Sequence, residues 1–378
     1  MKKFYLIAIA VIMSAIFCLG LSACNNNPDD NNKKPEPDPI VCEHTSHNAT
    51  TKICPDCKQV VDHHYISGKC TLCESTTEFM WEIIKKDTSL MQTLKQGIEH
   101  KGTVETITYE THAYNLEAIQ EKNDIIIEKE AYVYLPYGYD PANQYDVLIL
   151  LHGTGETAGY WFGEGGYDKT NDKSGYYATG CLTTELLDWM IDEGKAKPTI
   201  VVTPCFYDNS AEQFYENNVV MSLYGKEVVN SILPAVVEKY STYAEGSTSE
   251  ELIAARDHFA FAGLSRGSAI SFDSVATDFL PYFAYFGSYS AGAADPENIV
   301  SKLNNEFKDY DIKYWLMGCG SLDKLGEGHH KTFDTLVNGC DRLTNLENCA
   351  FIDIYGAQHT YECWITCLYN SMLKFFQM

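Results

Sequence analysis

The sequence predicts an α/β domain, with a mostly parallel central sheet and helices on both of its faces, preceded by a small segment rich in cysteine and histidine. Two observations predict the domain: short apolar runs alternate with helical segments from about Phe79 onward, and a Gly-x-Ser-x-Gly pentapeptide directly follows one of these runs. A third observation, a repeated Cys-x2-Cys pattern, distinguishes the preceding segment. The chain of 378 residues therefore divides into residues 1–24, 25–40, 41–75 and 76–378.

The composition is typical of a globular protein with a large core, since 45% of the residues are hydrophobic and 13% are aromatic. The formal net charge is −24 at pH 7. Such a charge repels nucleic acids and anionic membrane surfaces, because binding to polyanions depends on clustered Lys and Arg. We therefore expect no nucleic-acid partner.

Residues 1–24 are predicted to be a targeting segment. Lys2 and Lys3 precede an apolar run at residues 4–19, which is followed by Leu21-Ser22-Ala23-Cys24. This ending resembles a bacterial lipoprotein signal peptide, and the resemblance implies cleavage before Cys24 and lipidation of its thiol. The protein would then lie at the extracellular face of the bacterial cell membrane, held there by the lipid anchor alone. An uncleaved membrane anchor is the alternative, although the apolar run is at the short limit for spanning.

Residues 25–40 are predicted to be a disordered tether. They are mostly Asn, Asp, Lys and Pro, with almost no apolar side chain. Such a segment cannot bury enough apolar surface to fold alone, so it should extend and hold the folded parts away from the membrane.

Residues 41–75 are predicted to form a zinc-ribbon-like segment. The pattern His47-x6-Cys54-x2-Cys57 is repeated sixteen residues later as His63-x6-Cys70-x2-Cys73. In a zinc ribbon, two such Cys-x2-Cys turns present their thiolates to one tetrahedral metal ion. Disulfides are the alternative, because an extracellular location permits them, but the histidines would then have no role. In both interpretations the segment is structural, and any zinc ion would be structural too.

The predicted buried strands of the domain share a short length, an apolar composition and an enrichment in β-forming residues. Two further segments, 226–240 and 361–375, place apolar residues on one helical stripe and are predicted to be core helices. The predicted strands are residues 131–135, 147–151, 199–203, 259–263, 314–318 and 350–355.

The pentapeptide Gly263-Leu264-Ser265-Arg266-Gly267 carries the main chemical signal of the domain. In a nucleophile elbow, the serine lies on a strained turn between a strand and a helix, and the flanking glycines avoid collisions with neighbouring backbone. The preceding apolar run at residues 259–263 supplies the expected strand. We therefore predict that Ser265 is a nucleophile.

A serine nucleophile requires a base in contact with it, and His359 is the predicted base. It follows a predicted strand and precedes the last predicted helix, where a loop histidine can reach the end of the sheet. His329 and His330 are the alternatives, but no predicted strand immediately delivers them.

Asp323 is the predicted acid that orients this base, since it follows a strand and a glycine turn and lies between Ser265 and His359 in the chain. Glu327 and Asp334 are nearby alternatives. Asp353 lies within a predicted strand, where it would not reach the imidazole.

Acyl transfer also needs amide donors for the oxyanion that develops on the carbonyl. The amide of Arg266 directly follows the nucleophile, and the second donor should come from the loop after the strand at residues 147–151. Thr154 is the predicted second donor and Gly153 the alternative. His152, directly after a buried strand, is predicted to hold the loop by hydrogen bonds.

Residues 102–376 resemble the esterase-D-like α/β hydrolases of carbohydrate esterase family one, which include feruloyl esterases and acetyl xylan esterases. The marks of the resemblance are residues 132–140, residues 145–153, the elbow at Ser265, the Gly320-x-x-Asp323 turn and His359. One departure is the segment after the histidine, where family members often have Asp-Trp or Asp-Phe and this chain has Thr360-Tyr361.

The resemblance implies the α/β-hydrolase fold and a serine carboxylic ester hydrolase that needs no cofactor for catalysis. Its substrate would be a polysaccharide-linked ester, either a feruloyl or an acetyl group on xylan. Aromatic residues on loops expected above the nucleophile would form the pocket, and Trp161, Phe206 and Trp364 are the candidates.

Two other functions remain open at this stage. An esterase for ferric siderophores shares the elbow, but its anionic substrate would be repelled by the charge of −24. A non-catalytic surface carbohydrate-binding protein is the other alternative, and the intact set of Ser265, Asp323 and His359 argues against it. The cysteines of residues 76–378 are either buried thiols or disulfides.

Overall fold

Ten strands form the framework of the part of the chain that the structure describes. The structure is a computed structural model, and it describes residues 65–66, 69–70, 94, 98–163, 181–208 and 221–377. The strands are β1 (Tyr65–Ile66), β2 (Lys69–Cys70), β3 (Thr103–His112), β4 (Ile126–Leu135), β5 (Asp146–Leu151), β6 (Thr199–Thr203), β7 (Phe259–Leu264), β8 (Tyr285–Tyr289), β9 (Tyr314–Gly320) and β10 (Cys349–Ile354).

Eight of these strands form one sheet in the order β10-β9-β8-β7-β5-β6-β4-β3, and β1 and β2 form a separate antiparallel pair. Strand β4 is antiparallel to both of its neighbours, and all other pairs are parallel. The carboxyl ends of seven strands therefore meet at one end of the sheet. The chain order reverses around β5, which lies between β6 and β7, and such a reversal leaves a crevice at the carboxyl ends of the strands.

Nine α-helices lie between or after the strands in the described ranges. They are α1 (Tyr114–Gln120), α2 (Thr183–Asp192), α3 (Tyr224–Glu227), α4 (Leu233–Lys239), α5 (Ser249–Ala254), α6 (Arg266–Ile270), α7 (Pro296–Asn304), α8 (Gly326–Gly339) and α9 (Tyr361–Met372). Two π-helical segments, Val228–Ile232 and Ser271–Ala276, continue α3 and α6.

The core lies on both faces of the sheet. Every residue of β5, β7 and β9 is buried, as expected for parallel strands covered on both sides. Along β5, Val147, Ile149 and Leu151 pack into one apolar cluster, whereas Leu148 and Leu150 pack into another. Helices α2 and α9 contribute to the second cluster, and α4, α7 and α8 contribute to the first.

The predicted fold class is confirmed. Each of the six predicted strands coincides with an observed one, and the segments predicted as helices contain α4 and α9 and overlap the end of α3. Of the eight-stranded sheet, β3 and β8 are the strands that the sequence does not predict. The cysteines that the structure describes with their side chains are free thiols: Cys181, Cys205, Cys319, Cys340, Cys349, Cys363 and Cys367.

The predictions for residues 1–64 lie outside the described residues, and these include the signal peptide, Cys24 and the tether. The same holds for the side chains of the predicted metal ligands His47, Cys54, Cys57, His63, Cys70 and Cys73, although the backbone of Cys70 belongs to β2. None of the helices in the described ranges is both long enough and apolar enough to cross a membrane.

Candidate active site

Ser265 lies on the turn between β7 and α6, at the carboxyl end of the sheet. Its backbone has φ 50° and ψ −113°, a conformation that residues other than glycine rarely adopt. The Ser265 amide donates to the Tyr289 carbonyl at the end of β8, 2.7 Å away, which holds the turn in place. A Cβ atom on Gly263 would lie 2.6 Å from the carbonyl carbon of Gly267, so the turn can close only without a side chain there.

Ser265, His359 and Asp323, the three predicted catalytic residues, are joined by hydrogen bonds at this position. His359 Nε2 lies 3.0 Å from Ser265 Oγ, and His359 Nδ1 lies 2.9 Å from Asp323 Oδ2. Because a carboxylate only accepts hydrogen bonds, Nδ1 carries the proton and Nε2 is left to accept from the serine hydroxyl. The residues come from the loops after β7, β9 and β10, which the parallel sheet brings to one end.

Asp323 is held as an anion, with only 1% of its side chain exposed. Burial alone would raise the pKa of this carboxyl group, but hydrogen bonds from His359 and from the Leu325 amide outweigh burial and lower the pKa below its ordinary value. The hydroxyl of Ser290 adds a smaller contribution in the same direction. Ser290 itself has a positive φ of 63° at the end of β8.

The alternatives for the base and the acid lie elsewhere. His330 pairs with Asp353 at 2.8 Å, on the side of β9 and β10 covered by α8. His329 is fully buried, and burial lowers its pKa to about 3. Glu327 and Asp334 are exposed residues of α8.

The loop after β5 faces the nucleophile. A Cβ atom on Gly153 would lie 3.0 Å from the Cβ of Ser265, so this loop approaches the serine closely. The Gly153 amide donates to Glu156 Oε2 at 2.7 Å. Because the Gly153 amide already donates to Glu156, it is not available to an oxyanion. Thr154 is exposed, and its amide is the remaining candidate donor of this loop. Arg266, the other candidate, directly follows Ser265 as the first residue of α6.

His152 packs behind this loop. It is 1% exposed, its Nδ1 lies 2.8 Å from the Gly153 carbonyl oxygen, and its ring stacks on Phe206 at 4.3 Å. Burial lowers the pKa of His152 to about 3, so the ring is neutral at physiological pH. It therefore supports the loop, as the sequence predicts.

Glu156 is a residue of the site that sequence reasoning missed. Its carboxyl group bonds the Gly153 amide and the Tyr160 hydroxyl, next to the nucleophile. Burial raises its pKa from 4.5 to about 8, although both hydrogen bonds act in the opposite direction. The side chain is therefore largely protonated at neutral pH, and it places little negative charge beside the candidate oxyanion donors. No motif marks it, because an acidic residue in a loop is ordinary.

The three aromatic residues predicted to form the pocket are buried. Trp161 is 0% exposed and donates from its indole to the Leu151 carbonyl at 3.2 Å, and Phe206 is 0% exposed behind His152. This corrects the assignment of both rings to the pocket surface, since their apolar area is used in packing. Trp364 is 2% exposed, and its ring lies edge-on to His359 with centroids 5.0 Å apart, where it supports the imidazole.

Three large apolar side chains of the described residues are exposed on the segments that follow β9 and β10, which carry Asp323 and His359. Leu322 is 61% exposed, Leu325 46% and Tyr355 53%. The two loops are joined by a hydrogen bond from the Leu322 amide to the Ala357 carbonyl at 2.9 Å and by one from the Gly356 amide to Ser321 Oγ at 2.8 Å.

Comparison with known proteins identifies a relative in sequence and several solved structures of similar fold. No family model matches the chain. Endo-1,4-beta-xylanase Y of Acetivibrio thermocellus is 36% identical over 264 residues, which are 66% of this chain and 22% of that protein. The chain thus spans about a fifth of the length of this relative.

Two solved structures are similar in fold. A mutant of the feruloyl esterase module from Clostridium thermocellum, complexed with sinapinate, has a TM-score of 0.60 and 23% identity, and the match covers 75% of this chain and 91% of that one. A ferulic acid esterase of carbohydrate esterase family one from Anaeromyces mucronatus has a TM-score of 0.54 and 18% identity, over 74% and 92% of the two chains. The resemblance to family one is therefore confirmed for the fold, which is the α/β-hydrolase fold of these esterases.

Proposed function

We propose that this protein is a serine carboxylic ester hydrolase in which Ser265 is the nucleophile, His359 the general base and Asp323 the orienting acid. The observation that carries the proposal is the continuous hydrogen-bonded chain from Ser265 Oγ through the imidazole to the buried Asp323 carboxylate. A serine on a strained strand-to-helix turn with such partners is the arrangement that acyl transfer requires.

In the proposed first half-reaction, Ser265 Oγ attacks the ester carbonyl while His359 Nε2 accepts the serine proton. The imidazolium that forms is stabilised by the Asp323 carboxylate, which also fixes the tautomer. The amides of Arg266 and Thr154 donate to the oxyanion. His359 then returns the proton to the alcohol, which leaves.

In the second half-reaction, His359 removes a proton from water, and the water attacks the acyl group on Ser265. The same amides hold the second oxyanion, and the serine recovers its proton as the acid is released.

The proposed substrate is an ester on a xylan-type polysaccharide, with a feruloyl or acetyl group as the acyl part. Support comes from the relatives, since one is named as a xylanase and the two solved structures as feruloyl or ferulic acid esterases. The exposed Leu322, Leu325 and Tyr355 add an apolar surface beside the site, against which a sugar or an aryl ring could pack.

The proposed location is the outer face of the bacterial membrane, with Cys24 lipidated and residues 41–75 stabilised by zinc. This part of the proposal rests on the sequence patterns of residues 1–75. Mass determination of the protein extracted from membranes would test the lipid, and metal analysis would test the zinc.

The experiment that tests the function compares Ser265→Ala with the unaltered protein on feruloylated and acetylated arabinoxylan. We expect kcat to fall by about 10⁴-fold or more, because no other group supplies the nucleophile. Ser247→Ala, in the loop before α5, is the matched control and should keep full activity.

The products decide the substrate. Ferulate release establishes a feruloyl esterase, and acetate release alone an acetyl xylan esterase. If only small aryl acetates are cleaved in a Ser265-dependent way, the triad stands and the polysaccharide assignment fails. Near-native activity of Ser265→Ala, or inactivity of the unaltered protein on every ester, would contradict the proposed hydrolase.

A further inference from the structure

A cysteine, a histidine and an aspartate meet on the sheet next to the active site, and none of them belongs to the triad. Cys319 on β9 and Asp353 on β10 are directly paired in the register of the two strands. His330 reaches them from α8, which packs over both strands. One ligand atom from each residue, Sγ, Nε2 and a carboxylate oxygen, lies within 4.8 Å of the other two.

Two distances within this group are close to those between ligands of one ion. His330 Nε2 lies 2.8 Å from Asp353 Oδ1, and Cys319 Sγ lies 3.9 Å from the same oxygen. In a tetrahedral zinc site, bond lengths of about 2.0–2.3 Å place the ligand atoms about 3.3–3.6 Å apart. The third distance, between Cys319 Sγ and His330 Nε2, is at most 4.8 Å, so adjustment of the side chains would bring all three atoms to one centre.

The surroundings hold the three side chains in this arrangement. Cys319 is 1% exposed and Asp353 is 6% exposed. The His330 ring stacks on Phe351 with centroids 4.0 Å apart, which limits its rotation. Gly326 lies against the sulfur, since a Cβ atom there would be 3.3 Å from Cys319 Sγ.

We propose that Cys319, His330 and Asp353 bind one divalent transition-metal ion of the zinc class. Thiolate, imidazole and carboxylate are the ligands that such ions prefer. A thiolate and a carboxylate together neutralise the two positive charges of the ion, and a neutral imidazole completes the set. Without an ion, burial raises the pKa of the Cys319 thiol, so the sulfur keeps a proton that a bound metal would displace.

Solvent reaches the site through its histidine. The His330 side chain is 41% exposed, and it lines a surface cleft of about 730 Å³. The same cleft carries the carboxylates of Glu297, Glu327 and Asp334, with Lys331 as its basic residue. A water molecule could therefore complete the coordination, and the acidic rim would favour the entry of a cation.

The structure also offers a matched pair without a thiol. His258 directly precedes β7, and its Nδ1 lies 2.7 Å from Oδ1 of Asp146, the first residue of β5. This pair resembles the pair of His330 and Asp353, because the nitrogen-to-oxygen distances are nearly equal and in both pairs the histidine is partly exposed and the aspartate is buried. If a histidine and an aspartate alone were sufficient for binding, both pairs would bind metal.

Cobalt titration of the full-length chain under reducing conditions tests the site, because a cysteine thiolate bound to Co²⁺ gives a charge-transfer absorption in the near ultraviolet. The titration is carried out in a background with Cys54, Cys57, Cys70 and Cys73 replaced by serine, which removes the paired N-terminal thiolates. We expect the absorption to saturate at one Co²⁺ per chain and to be displaced by Zn²⁺.

In the same background, Cys319→Ser should abolish the absorption, and His330→Ala should weaken Co²⁺ binding at least tenfold. Cys340→Ser and His258→Ala are the controls and should leave both unchanged. His330 is half-buried on a helix, so its alanine variant should fold, and circular dichroism checks every variant. Absence of the absorption in the background protein, its persistence in Cys319→Ser, or unchanged affinity in His330→Ala would each overturn the proposal.

Discussion

Glu156 shows how one partly buried carboxyl group can affect both the stability of the protein and the loop that faces Ser265. Burial raises its pKa to about 8, whereas in the unfolded chain it ionises near 4.5. Between these two values the folded state binds one more proton than the unfolded state. The free energy of unfolding should therefore fall as the pH rises through this range, by up to about 1.4 kcal/mol per pH unit.

Glu156→Gln removes the titration and keeps an acceptor for the Gly153 amide. We expect the stability difference, variant minus unaltered protein, to grow from pH 5 to pH 8 and to level off above it. Urea unfolding at each pH measures this difference, with Glu110→Gln, at an exposed glutamate on β3, as the control. A difference that does not change with pH would contradict the burial of an acidic proton at Glu156.

The residues of the candidate site differ in how far the sequence could predict them. Ser265 lies in a motif that the elbow geometry requires, and His359 lies in a loop after a strand, so both were predictable. Glu156 and Ser290 were not, because their contacts depend on loops that meet only in the folded sheet. The sequence predicts Trp161 and Phe206 in the pocket, whereas both are fully buried, because the sequence of a loop does not show which of its aromatic side chains are buried.

At the scale of elements, the sequence predicts strands that carry a continuous apolar run more readily than strands interrupted by polar residues or glycine. Strand β3 is paired on one side only and alternates exposed and buried residues, so its Thr- and Glu-rich sequence lacks an apolar run. Strand β8 contains Gly287 and Ser288, which weaken its β signal. The helix predicted over residues 226–240 contains the π-helical segment Val228–Ile232. Pro234, which has no amide hydrogen to donate, lies in the first turn of the α-helix that follows this segment.

The close contact of β7 with α6 gives a prediction at this scale. Gly263→Ala should destabilise the protein by several kcal/mol and reduce activity, because its Cβ would collide with the backbone of Gly267. Gly328→Ala in α8 is the control, since no atom lies within 4 Å of the added Cβ, and it should be neutral or stabilise by about 0.5–1 kcal/mol. Thermal unfolding of the two variants measures both effects, and equal effects would contradict the collision at the elbow.

At the scale of the whole molecule, a buried ion pair joins distant parts of the chain. Lys129 Nζ on β4 lies 2.7 Å from Glu227 Oε1 on α3, and their side chains are 7% and 2% exposed. The Tyr109 hydroxyl donates to the same carboxylate at 2.9 Å, and Lys129 donates to the Cys205 carbonyl at 2.6 Å. Burial raises the pKa of Glu227, and the nearby Lys129 opposes this shift.

Lys129→Met should destabilise the protein by about 3–5 kcal/mol, because it leaves a buried carboxylate without its partner. Lys239→Met breaks a half-exposed pair with Glu105, 3.5 Å apart, and should cost less than about 1 kcal/mol. Urea unfolding at neutral pH compares the two variants. A similar loss in both would show that Lys129 contributes little beyond a surface charge.

Strand β10 lies at the edge of the eight-stranded sheet, and this position links catalysis to the order in which parts of the protein unfold. Strand β10 is bonded within that sheet only to β9, and the loop after it carries His359. Local unfolding of an edge strand, which has one neighbour, requires less free energy than unfolding of the central strands of the sheet. Hydrolysis should therefore stop at urea concentrations at which Trp161, whose indole donates to the Leu151 carbonyl at the end of β5, still reports an intact core. Loss of activity would then measure the detachment of one strand, and recovery of activity during refolding would mark the moment when that strand docks.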